Sequence, residues 1–90
     1  MDLFNDDIIA AIATGDSAGG IGIVRISGKG AEGIADAVIK TSSGLLVKDF
    51  ETFTMHYGKC FDYYDHQLID EVIISFMKGP HSYTAEDVVE

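Results

Sequence analysis

One arginine and a C-terminal group of acids carry most of the chemistry available to this chain. Arg25 stands inside an otherwise apolar run, Gly19-Gly20-Ile21-Gly22-Ile23-Val24-Arg25-Ile26-Ser27-Gly28. A guanidinium in a buried strand is costly unless it meets an anion or a wet cleft. Acids that can answer it lie far along the chain, in Tyr83-Thr84-Ala85-Glu86-Asp87-Val88-Val89-Glu90. A carboxylate there and a guanidinium on a neighbouring strand can bracket a polar heterocycle. The carboxylate accepts two N–H groups from an aminopyrimidine-like edge, and the arginine meets a carboxylate or carbonyl. Tyr83 offers a stacking face. The competing reading is an internal Arg–Glu ion pair, and spacing alone favours it.

Other constellations are weaker. A Walker A loop requires G-x-x-x-x-G-K-[S/T], but Gly28-Lys29 is followed by Gly30 and preceded five positions earlier by Ile23. A dinucleotide fingerprint requires glycine where Gly20-x-Gly22-x-x-Arg25 has arginine. The glycines therefore read as loop freedom and close backbone approach. His56, Cys60, Asp62, Asp65 and His66 crowd one segment. On one strand His56 and Cys60 would be about 13 Å apart, too far to share an ion. Asp65-His66 reads as a solvated Asx turn. Cys60, between Lys59 and Phe61, has no partner base in the sequence and reads as a small half-buried hydrophobe.

These residues need a scaffold. Residues 7–14 are apolar and β-branched, and read as a first strand. Residues 15–20 are a turn-rich loop, and residues 21–27 the second strand, the two forming a hairpin with a long loop. After Gly28-Lys29-Gly30, Ala31, Ile34, Ala35 and Val38 recur at helical spacing, with Glu32 in the first turn and Lys40 in the last. Thr41-Ser42-Ser43-Gly44 ends that helix, and residues 45–51 form a connection. Residues 52–61 and 68–77 read as an antiparallel hairpin about a polar turn at 62–67. In its second strand Leu68, Val72, Ile74 and Phe76 alternate with Glu71, Ile73 and Ser75, while Asp70 interrupts the apolar side. Residues 78–82 are a tight loop, and residues 86–90 begin a fifth strand. The fold class is α+β, with about five strands in a mixed or mostly antiparallel sheet and one or two helices.

Composition narrows the function. Ninety residues form one domain, 1–90, with 47% apolar and 23% charged residues. The net charge of −9 disfavours this segment as the main surface for nucleic acid, which wants clustered Lys and Arg. The single cysteine allows no internal disulfide and fits a reducing compartment. The acidic start, Met1-Asp2-Leu3-Phe4-Asn5-Asp6-Asp7, is not a signal peptide, and no apolar run approaches a membrane span. The expected location is cytoplasmic. Asp87-Val88-Val89-Glu90 breaks off inside an apolar-alternating segment, so the chain is expected to be a truncated piece of a longer one.

Three segments together resemble the N-terminal domain of the MnmE (TrmE) family of tRNA-modification GTPases. They are Asp7-Ile8-Ile9-Ala10-Ala11-Ile12-Ala13-Thr14, Gly19 through Gly28 as quoted above, and Gly79-Pro80-His81-Ser82 continuing into Tyr83 through Glu90. His56-Tyr57-Gly58 and Ile69-Asp70-Glu71-Val72 fall where that family has similar short matches. The likeness spans nearly the whole chain in the right order.

The resemblance implies a fold related to the folate-binding domains of aminomethyltransferases. It implies a domain that dimerises and binds a tetrahydrofolate derivative, 5-formyl- or 5,10-methylene-tetrahydrofolate, as one-carbon donor. By motif position the family's folate-binding arginine falls on Arg25 and its glutamate on Glu90. A further folate-binding lysine of the family would lie beyond residue 90. So would a helical domain, a C-terminal cysteine motif and a GTPase domain using GTP with Mg and K ions. The implied partners are a second copy, making a homodimer, and the FAD-dependent MnmG protein, with which the family modifies the wobble uridine of tRNA. That tRNA would be met through the complex and not directly by this acidic segment, and no membrane is implied. Two departures stand out. Where the family has Pro-Pro and a basic or polar residue, this chain has Gly15-Asp16-Ser17-Ala18. Where the family often has glycine, it has Ala85, a mild change if φ is negative there. A domain that only holds a dimer, with Arg25 in a structural salt bridge, is the alternative function.

Overall fold

A computed structural model of the chain describes residues 7–14, 20–80, 82 and 85–90. Among them six strands form one sheet, and every pairing is antiparallel. The strands are β1 (Ile9–Ile12), β2 (Val24–Ser27), β3 (Ile39–Thr41), β4 (Met55–Phe61), β5 (Leu68–Met77) and β6 (Val88–Val89). Their order across the sheet is β1-β2-β6-β5-β4-β3. One helix, α1 (Ala31–Val38), and a 3-10 turn at Val47–Asp49 complete the fold. The helix is not long and apolar enough to cross a membrane.

The expected α+β architecture is present, with three differences. The helix stops at Val38, and Ile39 takes extended dihedrals (φ −110°, ψ 137°). Lys40, expected in the last helical turn, therefore lies in β3, where Ile39 pairs with Cys60 and Thr41 with Gly58. The successive β-branched Val38 and Ile39 crowd a helix and suit a pleat, so the chain turns into a sixth strand. The first two strands are shorter than expected, though they pair as a hairpin, with Ile9 opposite Ser27 and Ile12 opposite Val24. The last strand, expected from residue 86, covers only Val88–Val89, and it sits in the middle of the sheet, between β2 and β5.

The main core lies on the helix side of the sheet, while Met77 and Val88, opposite each other on its other face, are buried as well. Ala31 and Ala35 of α1 lie with Val47, Phe50, Ile74, Phe76 and Val89 in a buried cluster, and Ile26, Ile39 and Val72 pack against it. Alanines at the contact let the helix sit close to the sheet. Ile34, expected on the buried face, is 50% exposed. The Asp36 carboxylate fastens the following connection to α1 by accepting the Val47 N–H (2.7 Å) and the Lys48 N–H (3.3 Å). In the β4–β5 turn, Asp62 accepts the N–H groups of Asp65 (3.1 Å) and Tyr64 (2.8 Å), which hold its carboxyl below the usual carboxylate range. The Asx turn expected at Asp65-His66 is present, with Asp65 Oδ1 accepting the Gln67 N–H (2.9 Å), and Asp62 makes another just before it.

Two backbone positions yield tests. A Cβ on Gly58 would lie 2.7 Å from the Lys40 carbonyl oxygen and 3.1 Å from Ile74 Cδ1. Gly58→Ala is expected to cost about 2 kcal/mol, because backbone atoms of β3 must move; urea denaturation measures this, and an unchanged midpoint would contradict the close approach. Ala85 has φ +62°, contrary to the negative value under which its alanine would be harmless. The left-handed region costs an L-residue roughly 1 kcal/mol, so Ala85→Gly is expected to raise the melting temperature despite the entropy of glycine.

Candidate functional site

Register places Arg25 where it can act. Ile26 stands opposite Val89 across the β2–β6 ladder, and Ser27 opposite Val88. One step further along the same ladder, Arg25 meets Glu90. The backbone of Glu90 is held on its other side by β5, through Glu90 N–H to the Ser75 carbonyl (3.0 Å) and Ser75 N–H to the Glu90 carbonyl (2.9 Å). Arg25 is in turn paired with Ala11 of β1. Alternation puts Ile26 and Val89 toward the core, so Arg25 and Glu90 occupy the sheet face away from α1.

The side chains meet in a forked contact. Arg25 Nη2 and Nε both donate to Glu90 Oε2, at 2.7 and 2.9 Å. The pair is only partly withdrawn from water, with side-chain exposures of 34% and 22%. The awkward arginine is thus answered by a carboxylate and by solvent together. Both Arg25 contacts use one oxygen of Glu90, which leaves Oε1 able to accept from another group.

Beside the pair lies a cavity of 310 Å³, lined by Ile9, Ala11, Ile12, Ala13, Arg25, Ser27 and Glu86. Its β1 wall is apolar and its opposite side is charged. That is the usual composition of a small-ligand site, at the lower end of the usual size range. Glu86 is among the C-terminal acids that the sequence offered to Arg25, whereas Ser27 was not singled out as a lining residue. A signal existed, because Ser27 is two residues from Arg25 on one strand and so shares its face. Tyr83 lies outside the described residues, as does the Gly15-Asp16-Ser17-Ala18 loop.

The remaining titratable residues have structural employment. His56 stacks on Phe50 (ring centroids 3.7 Å apart, planes 18° apart), and its Nε2 is 2.8 Å from Thr54 Oγ1. Cys60 is half-buried; burial, and then the Asp70 carboxylate, push its thiol up, away from the reactive thiolate. His66 is part of the β4–β5 turn, where its N–H donates to the Asp62 carbonyl (3.0 Å). A second cleft, of 190 Å³, is lined by Asp36, Lys40, Phe61 and His66 among others. The carboxylate of Asp36 is already engaged with the 3-10 turn. No group of three or more His, Cys, Asp or Glu among the described residues is placed to hold a metal ion.

Known proteins resemble this chain throughout. Its residues 8–90 match the family described as GTP-binding protein TrmE N-terminus. It is 48% identical over 88 residues to the tRNA modification GTPase MnmE of Clostridioides difficile, covering 98% of this chain and 19% of that protein. It is 51% identical over 88 residues to the protein of that name from Alkaliphilus metalliredigens, with the same coverage. With that of Carboxydothermus hydrogenoformans it shares 51% over 86 residues, 94% of this chain and 18% of the relative. The chain spans about a fifth of the length of these curated relatives. With a family match over residues 8–90 and relatives about half identical along nearly its whole length, the chain belongs to the TrmE N-terminal family.

Proposed function

We propose that this chain is the tetrahydrofolate-binding and dimerising N-terminal domain of a cytoplasmic GTPase that modifies the wobble uridine of tRNA. The observation that carries the ligand part is the Arg25–Glu90 pair standing over a cavity with an apolar wall. The residues present suit a reduced pterin. Arg25 can donate to a ligand carbonyl or carboxylate while Glu90 accepts N–H groups from the pyrimidine edge. The apolar side chains of β1 offer a dry surface to the ring. The bound tetrahydrofolate would supply a one-carbon unit; the protein's task is to hold that carrier in a fixed orientation. On this proposal GTP, Mg and K ions belong to the GTPase domain of the whole protein. The FAD-dependent MnmG protein would be the partner that brings tRNA, since a segment of net charge −9 repels phosphate.

A second reading has an observation of its own. Arg25 and Glu90 engage each other directly, as a purely structural cross-strand pair would. In that case the domain only holds two copies together. Calorimetric titration with 5-formyltetrahydrofolate separates the two. Binding to the unaltered chain, weakened about tenfold or more by Arg25→Ala, is the expected result. Equal affinity in both proteins would remove Arg25 from the site. A dimer by sedimentation that is indifferent to the folate, with no heat of binding, would support the structural reading.

A further inference from the structure

The segment before β6 is held more firmly than a surface connection requires. A Cβ on Gly79 would lie 2.7 Å from the Ala85 carbonyl oxygen and 3.0 Å from the Glu86 carbonyl carbon, so the two stretches are in backbone contact. The Gly79 N–H donates to Asp87 Oδ1 (2.9 Å), and the Gly28 N–H donates to the Asp87 carbonyl (2.9 Å). The Ser82 hydroxyl donates to the Glu86 carbonyl oxygen. These contacts fix the backbone on both sides of Glu86. Its side chain lines the same cavity as Arg25, where Ser27 Oγ donates to Glu86 Oε2 (3.4 Å).

The charges around the cavity then favour one kind of ligand edge. Arg25 is the cation of its lining; the Glu90 carboxylate pairs with it, and the Glu86 carboxylate lines the same cavity. One guanidinium beside two carboxylates does not suit a second anion, whereas an edge rich in N–H groups meets acceptors on two sides. We propose that Glu86 is a specificity-determining residue of this cavity, accepting N–H groups from the ligand and selecting a heterocycle with an exocyclic amino group. The proposal rests on the tetrahydrofolate reading and adds to it. Glu86 and Glu90 divide the donor edge of the pterin between them, and the backbone contacts of Ala85, Glu86 and Asp87 keep Glu86 in place before the ligand arrives.

The test is a calorimetric comparison of two ligands, 5-formyltetrahydrofolate and its analogue lacking the 2-amino group, on the unaltered chain, Glu86→Gln and Ser27→Ala. The unaltered chain is expected to prefer the amino-bearing ligand. Glu86→Gln is expected to weaken that ligand about tenfold and to narrow the preference. Ser27→Ala, which keeps the carboxylate, is expected to retain the preference. If Glu86→Gln binds both ligands as the unaltered chain does while Arg25→Ala still loses affinity, the role of Glu86 is wrong and the tetrahydrofolate reading stands. If Ser27→Ala loses the preference as fully as Glu86→Gln, the effect is one of loop packing and the proposal falls. If the unaltered chain binds neither ligand, the tetrahydrofolate reading fails and takes the role of Glu86 with it.

Discussion

A strand of two residues holds this structure together. Val88 and Val89 enter between β2 and β5 and complete the ladders on both sides, pairing with Ser27 and Ile26 on one and with Met77 and Phe76 on the other. Without them the β1–β2 hairpin has no ladder to the β5-β4-β3 unit. Both valines are buried, which is worth roughly 4 kcal/mol of transfer free energy for the two side chains. Their burial also sets the register. With Val89 facing the core, the next residue must face the other way, and Glu90 is delivered to Arg25 across a sequence separation of 65 residues. The site is therefore a by-product of how the core closes.

That geometry decides what the Arg25–Glu90 pair is good for. Helix and 3-10 turn cover one face of the sheet, and the pair stands on the other, about a third and a fifth exposed. An ion pair so accessible contributes at most about 1 kcal/mol to stability. A fully buried pair would resist separation, because breaking it strands a charge in a dry interior. This one can exchange a partner at small cost. Weak mutual stabilisation beside a cavity is what a ligand-exchanging pair requires, so the half-exposure of Arg25 speaks more for binding than for scaffolding.

Much of this was legible in the sequence. The alternation in residues 68–77 gives β5 with its observed bounds, and the period of Ala31, Ile34, Ala35 and Val38 gives α1, although Ile34 turns out exposed. Arg25 identifies itself by being a charge among Ile and Val. What the sequence hides is non-local. Residues 39–41 extend the helical pattern, and only pairing with β4 makes them a strand. The central place of β6 cannot be read from two valines near the end of the chain. The left-handed Ala85 is equally hidden, since alanine is a poor marker for positive φ and the conformation is imposed by its neighbours. The cavity is assembled from β1, β2 and the residue before Asp87, so no single stretch announces it.

The charge of the domain and the charge of its site point the same way. Fifteen acids against six bases make a surface that repels a polyphosphate. A domain of this composition is poorly suited to touching nucleic acid itself. Two other roles are open to it: presenting a small molecule, and joining copies of the chain. The cavity favours the first, since a pure dimerising module has no need of an accessible guanidinium–carboxylate pair beside a cavity with an apolar wall and a second carboxylate in its lining. On the proposed reading the same field would orient a ligand in the cavity: donor groups would be drawn toward Glu86 and Glu90 and an acidic tail driven outward toward water, which favours one of the two ways a flat, asymmetric heterocycle can enter.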